Sequence, residues 1–342
     1  MLADDHAPFW CGMTQANQFY SSEAQAGRPA VLLVTGNLPS AASASLMEAF
    51  SEAQERFSRH DTDILLLVGA HSPCVLEFLA LRMPGITIVF CPDLSSFPAQ
   101  DTTPAILVVD RRQTVIAVID PHQPSESVSE AEKTVAGLLR EPARDILLPA
   151  PLLPIPGIFT HDFCRFLIEE FERSSHRTGG MASTGPDGKP IHRIDESKKK
   201  RNDFVIPAAS DLAAAVTSAL IARCIPEMKK AFQFEARYAD RLLIARYDDT
   251  GGYFRRHRDN NAAATAFRQF ALSINLNTEE FEGGFLEFPE YNDHRYRPET
   301  GAGLIFSASL LHEATPVTRG RRYCLLTFFQ GETMPVQDSN AA

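Results

Sequence analysis

Five prolines crowd into one short stretch, at Pro142, Pro149, Pro151, Pro154 and Pro156. Each removes a backbone donor and blocks the turn before it, so this segment continues neither a helix nor a central strand. It divides the 342-residue chain into two parts of ordinary domain size. Apolar residues are interleaved among the prolines (Ile146, Leu147, Leu148, Leu152, Leu153 and Ile155). They predict an extended, partly docked linker over 146–157, between a first domain at 1–145 and a second at 158–335.

Apolar runs and helical stretches alternate in the first part. Ala30–Val34, Ile64–Val68 and Ile86–Phe90 read as buried strands. Ser45–Phe57, Val75–Leu81 and Ser129–Arg140 read as helices. Ala105–Asp110 and Val115–Ile119 flank the polar Arg111-Arg112-Gln113, as the arms of a hairpin do. Continuous apolar strands separated by helices predict an α/β layer with both faces of its sheet covered.

This order resembles the thioredoxin-like fold of peroxiredoxins over roughly residues 5–140. Asp5-His6-Ala7-Pro8-Phe9 looks like the entry segment, Gly27–Leu33 like the first core strand, and Cys91-Pro92-Asp93 follows the third strand. Peroxiredoxins carry a reactive cysteine just after the first core strand. Here that region reads Gly36 to Ser45, and no cysteine lies between Cys11 and Cys74. A peroxidatic thiolate needs a helix N-terminus to lower its pKa, and a serine there cannot replace it. The first domain is therefore expected to be redox-inactive, a scaffold for homodimerisation or for a protein partner.

A net charge of −10 argues against a nucleic-acid backbone as partner, because phosphate binding needs a basic face. It leaves room for small anionic ligands, which need only one or two local cations. No apolar run is long enough to span a bilayer, and Met1–His6 has neither the basic nor the apolar region of a secretory signal. Six cysteines lie scattered without a C-x-x-C pair. That pattern suits reduced thiols and a cytoplasmic location.

In the second part, Thr160 is placed to cap a helix from His161 to about Arg173, with Phe163, Phe166, Leu167 and Phe171 inward. Ser210 caps another, with Leu212, Val216 and Leu220 on one side. Residues 174–203, polar and containing Lys198-Lys199-Lys200-Arg201, read as a surface loop of the length that often forms a lid. From Leu242 onward short alternating strands follow: Leu242–Tyr247, Phe270–Leu276, Phe285–Phe288, Leu304–Phe306 and Tyr323–Phe329. They predict a β barrel or jelly roll. Along the second, Phe270, Leu272, Ile274 and Leu276 share one face, and Ala271, Ser273 and Asn275 the other.

Positions i and i+2 of a strand face the same way, so His257 and Asp259 can both reach one ion, and His312 is the candidate third ligand. Two imidazoles and one carboxylate on one face of a metal leave positions open for O2 chemistry at Fe(II). Arg322 lies ten residues past His312, beyond a turn expected at Thr318–Gly320. It shares a strand face with Cys324, Leu326 and Phe328, which aims a guanidinium into an apolar interior. A buried cation is costly without an anion, and its planar fork suits a carboxylate. Arg255, Arg256 and Arg258, and likewise Arg319 and Arg321, are expected to be solvated, His294 to lie at a rim, and Tyr253 to pack in the core.

Three motif blocks carry a resemblance to the prolyl 4-hydroxylase branch of the Fe(II)/2-oxoglutarate dioxygenases: Arg246-Tyr247 through Gly251-Gly252-Tyr253-Phe254 to His257-x-Asp259; Phe281-Glu282-Gly283-Gly284-x-Leu286-x-Phe288; and Gly303–Phe306 through His312-Glu313 and Pro316-Val317 to Gly320-x-Arg322-Tyr323. The resemblance covers residues 150–330. It implies a double-stranded β-helix braced by helices. It implies Fe(II) on His257, Asp259 and His312, the distal carboxylate of 2-oxoglutarate on Arg322, and Tyr247 in the co-substrate pocket. Asn275 stands where some members place a second tyrosine, and is a candidate weaker partner. The implied reaction uses O2 and 2-oxoglutarate, with L-ascorbate as reductant. It releases succinate and CO2 and hydroxylates a small-molecule or peptidyl substrate. Two other function classes stand beside it: a thiol redox protein acting through the first domain, and a metal-dependent sensing or binding module.

Overall fold

The computed structural model describes residues 6–35, 41–69, 79–98, 104–121, 123–138, 145–146, 148–184 and 190–331. Gly36–Ser40, Cys74 and the start of the expected Val75–Leu81 helix lie outside them. The chain forms two compact units, Met1–Ala143 and Arg144–Ala342.

The N-terminal unit is built on seven strands: β1 (Cys11–Thr14), β2 (Phe19–Ser21), β3 (Ala30–Thr35), β4 (Asp63–Val68), β5 (Thr87–Phe90), β6 (Ala105–Val109) and β7 (Val115–Ile119). Their order is β2-β1-β5-β4-β3-β6-β7. β3, β4 and β5 run parallel; β6 and β7 form an antiparallel hairpin against β3. This is a thioredoxin-like sheet. Alternation sends Val31, Leu33, Leu66, Ile88, Ile106 and Val108 to one face. There they meet Phe50 of α1 (Ala41–Glu52), Phe57 of α2 (Gln54–Ser58) and Val128, Ala131 and Val135 of α3 (Pro124–Ala136). The opposite face, with Leu32, Val34, Leu65, Leu67 and Leu107, packs under Trp10 and Phe97.

Two expectations shift here, and one pair of strands was not expected. The Ser45–Phe57 helix is two helices parted at Ala53. The Ser129–Arg140 helix starts earlier, at Pro124, because a proline suits the first helical position, where no donor is needed. The β1–β2 hairpin carries too few apolar residues to announce itself.

In the C-terminal unit, β8 (Leu152–Ile155) pairs with β20 (Gly303–Ser307). The proline-rich stretch thus supplies an edge strand, the one sheet position where Pro154 is tolerated. The major sheet runs β8-β20-β17-β22-β15-β13-β9, with β17 (Phe270–Asn275), β22 (Val317–Gln330), β15 (Leu243–Asp248), β13 (Asn202–Val205) and β9 (Arg177–Thr178). Facing it is a four-stranded sheet, β12 (Lys199–Lys200), β16 (Tyr253–His257), β21 (His312–Ala314) and β19 (Leu286–Glu287). Between them lie Ala245, Ala271, Phe288, Phe306, Cys324 and Phe328, the core of a jelly roll. The outer face of the major sheet packs Leu272, Ile274 and Leu325 against α4 (His161–Arg173), α5 (Asp211–Arg223) and α6 (Ile225–Phe232). Thr160 and Ser210 cap α4 and α5 as expected.

Along α4, Leu167 and Phe171 are buried and Phe163 packs against the same core, as expected; Phe166 is exposed instead, and Cys164 takes an inward place. Where a turn was expected at Thr318–Gly320, β22 runs straight through. Gly320 (φ 72°) is held so close to the carbonyl oxygen of Glu280 that an added Cβ would sit 2.1 Å from it. The largest correction is 174–203. Instead of a solvated loop it contains β9, the β10–β11 hairpin (Met181–Thr184 with Pro190–Arg193), β12 and β13. Lys199, Arg201 and Asp203 within it are buried.

Candidate metal centre

β16 and β21 pair so that His257 stands directly opposite His312. Asp259 is not on a strand: β16 ends at His257, and Asp259 opens the turn that follows, its N–H donating to the carbonyl of Ala308 at 2.9 Å. The geometry converges nonetheless. One Asp259 oxygen lies 3.4 Å from His257 Nε2 and the other 3.5 Å from His312 Nε2. One ligand atom from each residue falls within 4.8 Å of the others.

The imidazoles are oriented by what holds their far nitrogens. His257 Nδ1 lies 2.8 Å from the carbonyl of Arg255, and His312 Nδ1 lies 2.9 Å from that of Leu310. A carbonyl only accepts, so both Nδ1 atoms carry the proton and both Nε2 lone pairs face Asp259. Phe254 stacks on His257 with ring centroids 3.4 Å apart, and Phe306 meets His312 edge-on at 4.8 Å. Burial pushes His312 down to about 4, so it is the neutral imidazole a metal requires. Burial would push Asp259 up, yet the flanking imidazoles and Arg268 hold it down at about 2. It is therefore an ionised ligand. Two imidazoles and one carboxylate, all nitrogen and oxygen donors, fit a divalent iron better than a closed thiolate site would.

The triad opens on a cavity of about 850 Å³. Arg322 enters its wall from β22 and is 2% exposed. Its Nε and Nη2 donate to Asn275 Oδ1 at 3.2 and 3.0 Å, and Nη2 also reaches Ser273 Oγ at 3.5 Å. Among the described residues no carboxylate lies within ion-pair distance of it. Gly284 (φ 60°) makes room for it: a Cβ there would come within 2.9 Å of Arg322 Cδ. Tyr247 lines the cavity, buried, with the Arg322 guanidinium 5.3 Å from its ring centroid. Asn275 does not line the cavity; it stands behind Arg322 and donates its own amide to the carbonyl of Pro298 at 2.9 Å. It therefore positions the guanidinium and does not itself face a ligand.

Residues that sequence reasoning passed over complete the wall. Arg201 donates to Tyr247 Oη at 2.9 Å and pairs with Asp203 at 2.7 Å. Lys199 lies 3.3 Å from the same carboxylate and 5.1 Å from the centroid of Phe254. Arg268 pairs with Asp240 at 2.6 Å and sits over Phe328. Arg241 also lines the cavity. The signal for the first three was present: Lys199, Arg201 and Asp203 recur every second residue, the strand period, inside a run that looked merely charged.

Arg319 pairs with Glu282 and, like His294, is exposed as expected, whereas Arg256 and Arg258, paired with Glu313 and Glu290, line the cavity, and Arg258 is half-buried. Tyr253 does not join the core; its hydroxyl donates to the carbonyl of Glu196. In the N-terminal unit Cys91 is buried, and desolvation with the neighbouring Cys11 pushes its thiol up to about 12, far from a reactive thiolate.

Residues 242–330 match the 2OG-Fe(II) oxygenase superfamily. A PKHD-type hydroxylase of Cupriavidus metallidurans is 25% identical over 195 residues, 55% of this chain and 80% of that protein. Among solved structures, a Pseudomonas putida prolyl-4-hydroxylase aligns with 54% of this chain and 94% of its own (TM-score 0.40, 19% identity). The peroxidoxin BcpB of Mycobacterium tuberculosis aligns with 41% of this chain and 99% of its own (TM-score 0.35, 12% identity). Among the described residues no helix is long and apolar enough to cross a membrane. The C-terminal unit carries a 2OG-Fe(II) oxygenase domain.

Proposed function

We propose that the chain hydroxylates a C–H bond of an amino acid, peptidyl or small-molecule substrate, using Fe(II), O2 and 2-oxoglutarate and releasing succinate and CO2. The observation that carries this reading is the meeting, in one cavity, of three converging ligand atoms with a buried guanidinium that has no carboxylate partner among the described residues. His257, Asp259 and His312 would hold Fe(II). When bound, the metal and 2-oxoglutarate supply O2 activation driven by oxidative decarboxylation.

The remaining roles belong to the chain. Asn275 and Ser273 occupy Nε and Nη2 of Arg322, so Nη1 is left to donate to the distal carboxylate of 2-oxoglutarate. Tyr247 Oη already accepts from Arg201, which leaves its own O–H to donate to the same carboxylate. Burial of these donors fixes them before the co-substrate arrives, which lowers the cost of ordering it. Phe254, Phe306 and Leu326 keep the cavity wall apolar around the reacting centre. Asp259 is present where a carboxylate-free site would leave room for a halide, and this supports hydroxylation as the outcome.

The relatives named hydroxylases support the reaction class, with L-ascorbate as the reductant that keeps iron ferrous. The N-terminal unit, lacking the peroxidatic cysteine and burying Cys91, reads as a scaffold for dimerisation or a partner, and the scattered thiols favour the cytoplasm. Purified chain with Fe(II), 2-oxoglutarate, ascorbate and a metabolite and peptide panel, read by mass, is the test. A 16 Da gain in one substrate, matched by succinate and lost in His257→Ala, is the expected result. Substrate oxidation that survives without 2-oxoglutarate would contradict it.

A further inference from the structure

The cavity holds more positive charge than the proposed co-substrate uses. Arg322 accounts for one carboxylate. On another part of the wall, Lys199, Arg201, Arg241 and Arg268 share two carboxylates, Asp203 and Asp240. Asp203 is taken by Arg201 at 2.7 Å and Lys199 at 3.3 Å, and Asp240 by Arg268 at 2.6 Å. Arg241 is left over. It makes no hydrogen bond or ion pair among the described residues, and its Nε is sealed from solvent with no acceptor. Desolvation first, then Arg268 and Arg201 as like charges, push its pKa below the ordinary arginine range; only the committed Asp203 and Asp240 oppose them. A half-buried guanidinium whose sealed Nε has no acceptor costs stability, and it is found here in a chain of net charge −10, where acidic partners are plentiful elsewhere. Arg268 links the group to the metal centre, donating to the backbone carbonyl of Asp259 at 3.4 Å. Arg201 links it to the co-substrate side through Tyr247.

We propose that Arg241, in this cationic wall, receives a carboxylate of the substrate, so that the compounds oxidised are acids. This rests on the oxygenase reading above and narrows its substrate class. The guanidinium presents two parallel N–H donors, which match a carboxylate in a bidentate pair and a neutral amide poorly. A substrate carboxylate held there would complete the pairing that the fold leaves open and fix the substrate in the same cavity as the metal ligands.

The test is a set of titrations of the full chain loaded with Mn(II), run with and without saturating 2-oxoglutarate, with heat as the readout. The probes are N-acetyl-norvaline, its carboxamide, and acetyl-Gly-Glu-Gly-amide. The first carries a terminal carboxylate, the second none, and the third only a side-chain carboxylate. At least one acid is expected to bind in the presence of 2-oxoglutarate at least tenfold more tightly than the amide. Which acid binds separates a free acid from an acidic peptide as the source. Arg241→Met is expected to abolish that preference while 2-oxoglutarate binds within twofold of wild type. Since the side chain has no partner among the described residues, unliganded Arg241→Met is also expected to melt above wild type. Carboxylate and amide binding equally, a preference that survives in Arg241→Met, or a variant that melts below wild type would each overturn the proposal. If 2-oxoglutarate itself fails to bind, the oxygenase reading falls, and the arm without it still measures the carboxylate preference and its dependence on Arg241.

Discussion

The two units use their sheets in opposite ways. Both place apolar strands between covering layers. Among the described residues of the N-terminal unit the buried polar ones are uncharged: Ser21, Ser22, Gln25, Thr35, Thr62, Thr114 and Ser127. In the C-terminal unit they include Lys199, Arg201, Asp203, Arg268, His312 and Arg322. Burying charge is expensive unless each group is paired or kept for a ligand. The N-terminal sheet thus does what packing alone requires. The C-terminal sheets carry charge that packing would have excluded, and that charge surrounds one cavity.

The largest expected effect is on turnover. Asp259→Ala or His312→Ala should lower 2-oxoglutarate-dependent succinate formation by more than about a hundredfold, beyond what losing an outer hydrogen-bond partner of a metal site costs. Leu66→Ala, in the N-terminal core, should destabilise the chain by about 2–5 kcal/mol and leave turnover per folded molecule unchanged. Comparable loss of turnover in folded Leu66→Ala would break the contrast between the units.

Arg201→Met comes next. It leaves Asp203 buried with Lys199 as its remaining cation, and about 3–5 kcal/mol of stability should be lost, measured by denaturant unfolding. An unchanged midpoint would mean that Asp203 is compensated in another way.

Asn275→Ala should act on binding: without its acceptor, the Arg322 fork is free to turn. The KM for 2-oxoglutarate is expected to rise about tenfold, the worth of one hydrogen bond to a charged group, with kcat nearly unchanged. A drop in kcat with constant KM would instead assign Asn275 a role at the reacting centre.

A smaller effect concerns acid. His312 in the metal-free fold has its pKa depressed to about 4, whereas an unfolded histidine titrates near 6.5. The unfolded chain therefore binds more protons between those values, and stability falls as pH drops through that window. Asp259, held at about 2, adds a loss of the same sign below about pH 4. Melting of the chelated protein should show this slope, and His312→Gln should flatten its upper part. The smallest effect is expected for Cys91→Ala: no change in succinate formation, because a thiol pushed up to about 12 is not a working nucleophile. A loss would restore a redox role to the N-terminal unit.

Much of this was legible in the chain. Strand alternation put Leu272 and Ile274 on one face of their strand and Ser273 and Asn275 on the other; in the structure the first pair packs under the helices and the second meets Arg322. Caps at Thr160 and Ser210 fixed two helix starts because a side-chain acceptor there is a local event. The 174–203 segment was misread for the opposite reason. A lysine or arginine on a polar stretch is usually solvated, and only pairing with the distant β15 and β16 turns Lys199 and Arg201 inward. Asp259 reached the ligand set from a turn and not from a strand, since the hydrogen bond to Ala308 that places it joins residues far apart in sequence. Arg241 carried no signal: its significance is that, among the described residues, nothing pairs with it.

The most direct test is an anaerobic titration of 2-oxoglutarate into the full chain, with Fe(II) present or chelated, in wild type, His257→Ala and Arg322→Met. Saturable binding that needs the metal, disappears in His257→Ala and weakens at least tenfold in Arg322→Met is the expected result. Binding of equal strength without metal, or undiminished in Arg322→Met, would contradict the assignment of this cavity.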